Sequence, residues 1–276
     1  MRRSWVAEVA ALVRGRNLLI AAAGVAIGGA LAMGRVAFPR DLVWAILSAV
    51  GLGALGNAAN DLWDVEADRV NRPLRPLASG ALSAGAAQWI GGLFGGAGLV
   101  CAWRSGPAVL ALGAAAAVVM LAYSPLLKTR PVLGNAAVAV VGSLPLIYGA
   151  LAVGSWRAGL VPFALAALLH LSREIVKDLE DVPGDIAAGR RTIPIAWGER
   201  PAFLAAAAPL VVFLPAALVP WVAGGYGARY GSVALLVSLG ALALASRLVR
   251  GETEGARAGL KLAMVLGLIA LLWDRL

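Results

Sequence analysis

Asp61, Asp64 and Asp68 form one acidic triplet in this chain, and Asp178, Asp181 and Asp185 form another. Each triplet runs i, i+3, i+7, and every member of the second lies 117 residues after its counterpart in the first. At about 100° per residue, these offsets keep each triplet on one face of a helix. The surrounding sequence is strongly apolar, and carboxylates gathered beside an oil phase need protons, basic partners or metal ions. Their number and spacing suit a hard divalent cation such as Mg²⁺, which takes one or two carboxylates and fills its remaining sites with water and phosphate oxygens.

The residues around the first triplet sharpen this chemistry. Asn57 and Asn60 join Asp61, Asp64 and Asp68 in one polar stripe. The second apolar run is predicted to continue as a helix through the stripe until Asn71-Arg72-Pro73 ends it. Glu66 projects to the other side and reads as solvated. Arg72 and Arg75 follow, with forked donors suited to phosphate oxygens. Carboxylates for a metal beside arginines for phosphate imply a diphosphate substrate.

The second triplet is delivered with Arg173 and Lys177. Pro183 and Gly184 are expected to distort or end its helix before Asp185. Glu180 points away from the Asp178 face and reads as solvated. Arg190 and Arg191 either cap the site or simply follow the pattern of basic loops. His170, the single histidine, lies two turns before Asp178 and serves either packing or the wall of an acceptor pocket. Between the triplets, the loop from Tyr123 to Pro131 offers Lys128 as a further phosphate contact and Tyr123 as a residue facing the site.

The elements that must position these groups are membrane helices. Of 276 residues, 61% are hydrophobic and 14% charged, against about 25% charged in soluble domains. The mean hydropathy is +0.83. Apolar runs near 17–34, 41–60, 82–103, 106–123, 132–153, 157–177, 201–223, 229–249 and 256–273 each supply about the 20 residues that cross a bilayer. The first run follows Arg2, Arg3, Arg14 and Arg16, yet no small-residue cleavage pattern stands out, so it reads as a retained helix. The single Cys101 excludes a disulfide framework.

Nine spans put 18 of the 24 Lys and Arg residues on the side of the N-terminus and both acidic triplets with them. That asymmetry predicts a cytoplasmic N-terminus and cytoplasmic acidic segments. It also accounts for the net charge of +9 without nucleic acid, because the charges follow membrane sidedness. Stretches rich in Gly and Ala, such as Gly91, Gly92, Gly95, Gly96 and Gly98, predict tight helix packing. The expected architecture is an all-α polytopic bundle around a central cavity, located in the cell membrane, with cap loops carrying the two Asp-rich motifs. It forms a single domain over 1–276, with pseudo-repeat halves of about 1–131 and 132–276.

The motifs closely resemble the UbiA superfamily of intramembrane prenyltransferases. Its signatures, Asn-x-x-x-Asp-x-x-x-Asp and Asp-x-x-x-Asp, match at Asn60, Asp64 and Asp68 and at Asp181 and Asp185. Asn71-Arg72-Pro73 and Tyr123 with Lys128 extend the match. The resemblance implies a nine-helix bundle that holds Mg²⁺ and a prenyl diphosphate under a cytoplasmic cap. Asp64, Asp68, Asp181 and Asp185 would be catalytic, and Asp61 and Asp178 would join them as metal ligands. Asn60, Arg72, Tyr123, Lys128 and Lys177 would bind substrate.

Arg72-Pro73-Leu74-Arg75-Pro76 and the run from Arg173 to Asp185 look most like members that make digeranylgeranylglyceryl phosphate. Asp64-Val65-Glu66 with Pro76-Leu77-Ala78-Ser79-Gly80 echoes homogentisate prenyltransferases. The expected reaction is therefore Mg²⁺-dependent transfer of a prenyl group, such as geranylgeranyl, to a membrane-associated acceptor with release of diphosphate. The acceptor is a glycerol-phosphate lipid or an aromatic precursor of the quinone, tocopherol or chlorophyll type. No obligate protein partner is evident. A cation-coupled transporter is the rival reading, disfavoured because such proteins place ion sites near the midplane on broken helices.

Overall fold

The computed structural model describes residues 4–275, with the side chain of Arg275 outside the description. Arg2 and Arg3, counted above in the basic N-terminal segment, lie outside the described residues. The described chain is all helical. A short helix α1 (Trp5–Val13) leads into α2 (Gly15–Met33), α3 (Arg40–Trp63), α4 (Val65–Asn71), α5 (Ala84–Ser105) and α6 (Pro107–Ala122). Then follow α7 (Leu133–Ala152), α8 (Leu160–Ala187), α9 (Ile193–Trp197), α10 (Glu199–Val222), α11 (Ala228–Val249) and α12 (Ala256–Arg275). Nine of the described helices are long and apolar enough to cross a membrane, namely all but α1, α4 and α9.

The exterior has the character of a lipid-facing surface. Leu19, Ile20, Leu93, Val100, Val211, Val212 and Val222 are exposed large apolar side chains, a pattern that water would penalise and lipid does not. With hydrocarbon outside, packing inside depends on close backbone approach. A Cβ on Gly149 of α7 would lie 1.8 Å from the carbonyl oxygen of Val25 in α2, so only glycine fits there. In α5 the expected glycine packing divides by face. Gly91, Gly95 and Gly98 are buried, whereas Gly92 and Gly96 are exposed with open space beside them.

Two local departures from expectation shape the site. The stripe does not lie on one continuous helix, because α3 ends at Asp64, whose φ and ψ of −95° and 4° turn the chain before α4 begins. The break is a kink rather than a loop: the Asp64 N–H donates to the Asn60 carbonyl at 3.0 Å, and the Asp68 N–H to the Asp64 carbonyl at 2.7 Å. Conversely, α8 does not end at Pro183 but runs on to Ala187. Asn71 explains the continuity. Its side chain accepts from the Gly184 N–H at 3.1 Å and donates to the Asp181 carbonyl at 2.9 Å. An amide from the end of α4 thus supports the backbone on either side of the proline, and Gly184 leaves room for it.

Candidate functional site

The two acidic segments meet at one end of the bundle, where α4 packs against α8. Arg72 reaches from the end of α4 to Asp181 on α8, its Nη2 lying 2.7 and 2.8 Å from the two carboxylate oxygens. Its Nη1 lies 3.7 Å from Asp68. Arg190, in the loop after α8, makes the reciprocal bridge, with contacts of 2.5 Å to Asp64 and 3.1 Å to Asp185. Four carboxylates from two regions of the chain are therefore joined by two guanidinium groups. The expectation left open for Arg190 is resolved toward the site, while Arg191 is exposed.

Lys128 enters from the turn after α6, where Tyr123–Leu127 form a wide, π-type turn closed by the Lys128 N–H on the Tyr123 carbonyl at 2.8 Å. Its Nζ contacts Asp64 at 2.6 Å and lies 5.9 Å from the centre of the Tyr123 ring. Asn60, one turn before Asp64, donates to the same carboxylate at 2.8 Å. Asp64 thus receives Asn60, Lys128 and Arg190 together. Burial pushes its carboxyl up, but the Lys128 and Arg190 charges outweigh this and hold its pKa below the ordinary value. Asp68 moves the other way. Burial raises it, Arg75 at 2.5 Å opposes, and the neighbouring Asp64 and Asp61 charges raise it further. For Lys128, burial dominates over the attraction of Asp64 and brings its pKa down to about 8.

Asp61 and Asp178 stand apart from the central four. Asp61 pairs with Arg14 at 2.5 Å and Arg75 at 3.1 Å. Arg14 occupies the left-handed turn between α1 and α2, with φ of 55°, and Asn57 fixes the same turn by donating to the Val13 carbonyl at 2.8 Å. Asp178 accepts from Asn135 of α7 at 2.7 Å. Glu66 is solvated and pairs with Arg69. Glu180, expected to be solvated, instead pairs with Arg257 of α12, because α12 packs along α8.

The geometry bears on a metal as follows. Among the described residues, no three acidic side chains converge as a ready cage. The six-carboxylate set expected from spacing is divided by the arginines and the lysine between its members. The donors remain hard oxygens in sets of one or two, which suits Mg²⁺ arriving with phosphate and water as its other ligands. The residues therefore fit the ion as a partner of the substrate rather than as a fixed structural centre.

Below the charged mouth lies an apolar cavity of about 450 Å³, within the range of ligand pockets. Leu18 and Gly24 of α2, Leu52 of α3, Val138 of α7, Leu165 of α8 and Met264 of α12 are among its walls. Its polar lining includes Arg14, Asn17, Asn57 and Lys261 and, together on α8 and the turn after α6, Tyr123, His170, Arg173, Glu174 and Lys177. His170 packs on Gly142 and lines the cavity. Lys177 lies 3.6 Å from Glu174 and lines the cavity as well. Glu174 was missed in the sequence, although its position one turn before Asp178 signals the same helix face. Arg14 and Asn135 carried no local signal.

Comparison with known proteins adds an independent line. The model of the UbiA prenyltransferase family matches residues 19–269. A digeranylgeranylglyceryl phosphate synthase from Natronomonas pharaonis is 36% identical over 262 residues, covering 93% of this chain and 93% of that protein. Another from Methanopyrus kandleri is 37% identical over 265 residues, covering 95% and 96%. Among solved structures, a UbiA homolog from Aeropyrum pernix superposes with a TM-score of 0.81 at 18% identity, covering 95% of this chain and 98% of that one. A UbiA homolog from Archaeoglobus fulgidus bound to GPP and Mg²⁺ gives a TM-score of 0.68 at 18% identity, covering 96% and 99%.

Proposed function

The chain belongs to the UbiA prenyltransferase family, and on that premise we propose that it transfers a geranylgeranyl group from its diphosphate to the free hydroxyl of geranylgeranylglyceryl phosphate, releasing diphosphate. It is a multi-pass membrane prenyltransferase. The acceptor is the finer part of the reading, and the observation that carries it is the similarity over nearly the whole chain to digeranylgeranylglyceryl phosphate synthases. The Arg173–Asp185 stretch, which holds both the second triplet and part of the polar lining of the cavity, supports it. The basic residues clustered at the charged end support a cytoplasmic orientation of that end. Residues 1–276 are read as one domain, its two halves each contributing an acidic segment.

In this scheme Asp64, Asp68, Asp181 and Asp185 would hold Mg²⁺ with the diphosphate, and Asp61 and Asp178 would support them. Mg²⁺ bound there supplies charge neutralisation that makes diphosphate a better leaving group. Arg72, Arg190 and Lys128 exchange carboxylate partners for phosphate oxygens as the substrate enters. Asn60 keeps Asp64 oriented through its 2.8 Å hydrogen bond. The prenyl chain lies in the apolar cavity, where water is excluded and the electron-poor allylic carbon is protected until the acceptor oxygen reaches it. Tyr123 lines the cavity, and its ring centre lies 5.9 Å from the Lys128 ammonium of the clamp.

The test is direct. Purified protein with Mg²⁺ and labelled geranylgeranyl diphosphate is offered geranylgeranylglyceryl phosphate in competition with aromatic acids. An ether-linked product with equimolar diphosphate is expected. Prenylation of the aromatic acid in preference would overturn the acceptor assignment, and prenyl transfer at full rate after chelation would overturn the role given to the metal.

A further inference from the structure

Glu174 is a buried carboxylate that the diphosphate clamp does not use. It is 6% exposed. Among the described residues it is the one acidic side chain lining the apolar cavity, since neither triplet reaches the cavity wall. Its two oxygens differ in their surroundings. Oε1 accepts from Arg173 at 2.5 Å. Oε2 lies 3.6 Å from the Lys177 ammonium, too far for a hydrogen bond, and accepts none from the described residues. One oxygen is thus anchored, and the other is free to accept from a molecule in the cavity.

Forming an ether from an alcohol releases a proton, and the triplet carboxylates face their own partners outside the cavity lining. Asp64 faces Lys128 and Arg190, Asp181 faces Arg72, Asp185 faces Arg190, and Asp178 faces Asn135. Resting on the hydroxyl-acceptor reading above, we propose that Glu174 is the catalytic residue that takes the proton of the acceptor hydroxyl. The bond from the allylic carbon to the diphosphate oxygen breaks, and its electron pair leaves with diphosphate. A lone pair of the acceptor oxygen forms the new carbon–oxygen bond, the O–H bond breaks, and the proton moves to Oε2 of Glu174. It returns to water along the polar lining of the cavity once the product has left. An ion-paired carboxylate is a weak base, yet an oxygen already bonded to a carbocation is a far stronger acid than a carboxylic acid, so the transfer runs downhill. Arg173 and Lys177 hold the carboxylate in place beside the cavity.

A purely structural Arg173–Glu174–Lys177 cluster would affect every step alike, whereas a proton acceptor affects chiefly capture by the hydroxyl. The experiment measures two products from Mg²⁺ and labelled geranylgeranyl diphosphate, the ether formed with geranylgeranylglyceryl phosphate and the diphosphate released slowly by hydrolysis without acceptor. Glu174→Gln should lower ether formation about 100-fold or more and lower hydrolytic diphosphate release by a much smaller factor. Glu174→Asp should recover part of the ether formation. Ether formation by Glu174→Gln within about threefold of wild type would overturn the proposal. So would an equal fall of both products in both variants. Absence of ether from the wild-type protein would overturn the acceptor reading and this inference with it, so the two failures are distinct.

Discussion

In the first acidic segment the helix kinks at Asp64, and Asp61, Asp64 and Asp68 are all at most 4% exposed. In the second, α8 runs unbroken past Asp178, Asp181 and Asp185, and the side chain of Asp181 keeps 13% of its surface. The spacing is the same and the electrostatics are not. The first segment gathers Arg14, Arg72, Arg75, Lys128 and Arg190 around its three acids. The second relies on residues brought from elsewhere, with Arg72 on Asp181, Asn135 on Asp178 and Arg190, shared with Asp64, on Asp185. Equal periodicity places carboxylates on a face but does not make them equivalent. Their roles are set by the partners that tertiary packing brings to each of them.

The strongest way to break this comparison is to neutralise one acid from each segment. Asp64→Ala should reduce prenyl transfer by about 100- to 1,000-fold or more, because it removes a charged group central to the clamp. Asp178→Asn should cost about tenfold, since that acid is held by a neutral amide beside the clamp. Steady-state transfer of labelled substrate in folded detergent-solubilised protein measures both, and equal losses would mean the segments act alike.

Arg190→Ala removes the bridge itself. It leaves Asp185 without its basic partner, and the metal-free protein should lose on the order of 3 kcal/mol of stability. The thermal unfolding midpoint should recover substantially when Mg²⁺ and diphosphate are added together, since they replace the missing charge. An unchanged midpoint in the metal-free variant would show that the bridge does not join the segments energetically.

Asn71→Ala tests the difference in helix continuity. Losing both of its hydrogen bonds to α8 should cost about 1–3 kcal/mol and speed amide hydrogen exchange at Asp181–Asp185, with little change in α3. Exchange that stays slow would mean that α8 passes Pro183 without support from α4.

The smallest effect concerns protonation. In the metal-free protein, Lys128 should titrate near its lowered pKa of about 8. Labelling of its amine, read by mass spectrometry, should rise through that pH, with the charged and unreactive form below it. Asp64→Asn removes the anion that favours the charged form, so the midpoint should fall further. A midpoint unmoved by that substitution would separate Lys128 from the first segment.

Much of this arrangement was legible from local pattern. Hydropathy marked the spans, and the 3.6-residue period aligned each triplet. The basic loops fell at one end of the bundle. The less legible parts depended on distant partners. Arg173-Glu174 reads in sequence as a neighbouring charge pair, and only packing of α8 against the cavity reveals the second, open carboxylate oxygen. Glu180 carried no sign of Arg257 because the two belong to different helices.

The sequence by itself determined that this chain is a membrane bundle with two acidic segments at the ends of spans, because apolar length and helical periodicity are properties of consecutive residues. Tertiary structure decided which cation neutralises which carboxylate and how α8 continues past Pro183. It also decided which acid lines the apolar cavity. Those outcomes depend on short-range contacts between groups such as Asn71 and Gly184, or Arg190 and Asp64, that lie more than 100 residues apart in the chain. Hydrogen bonds and ion pairs act over a few ångströms, so no local spacing rule could specify them.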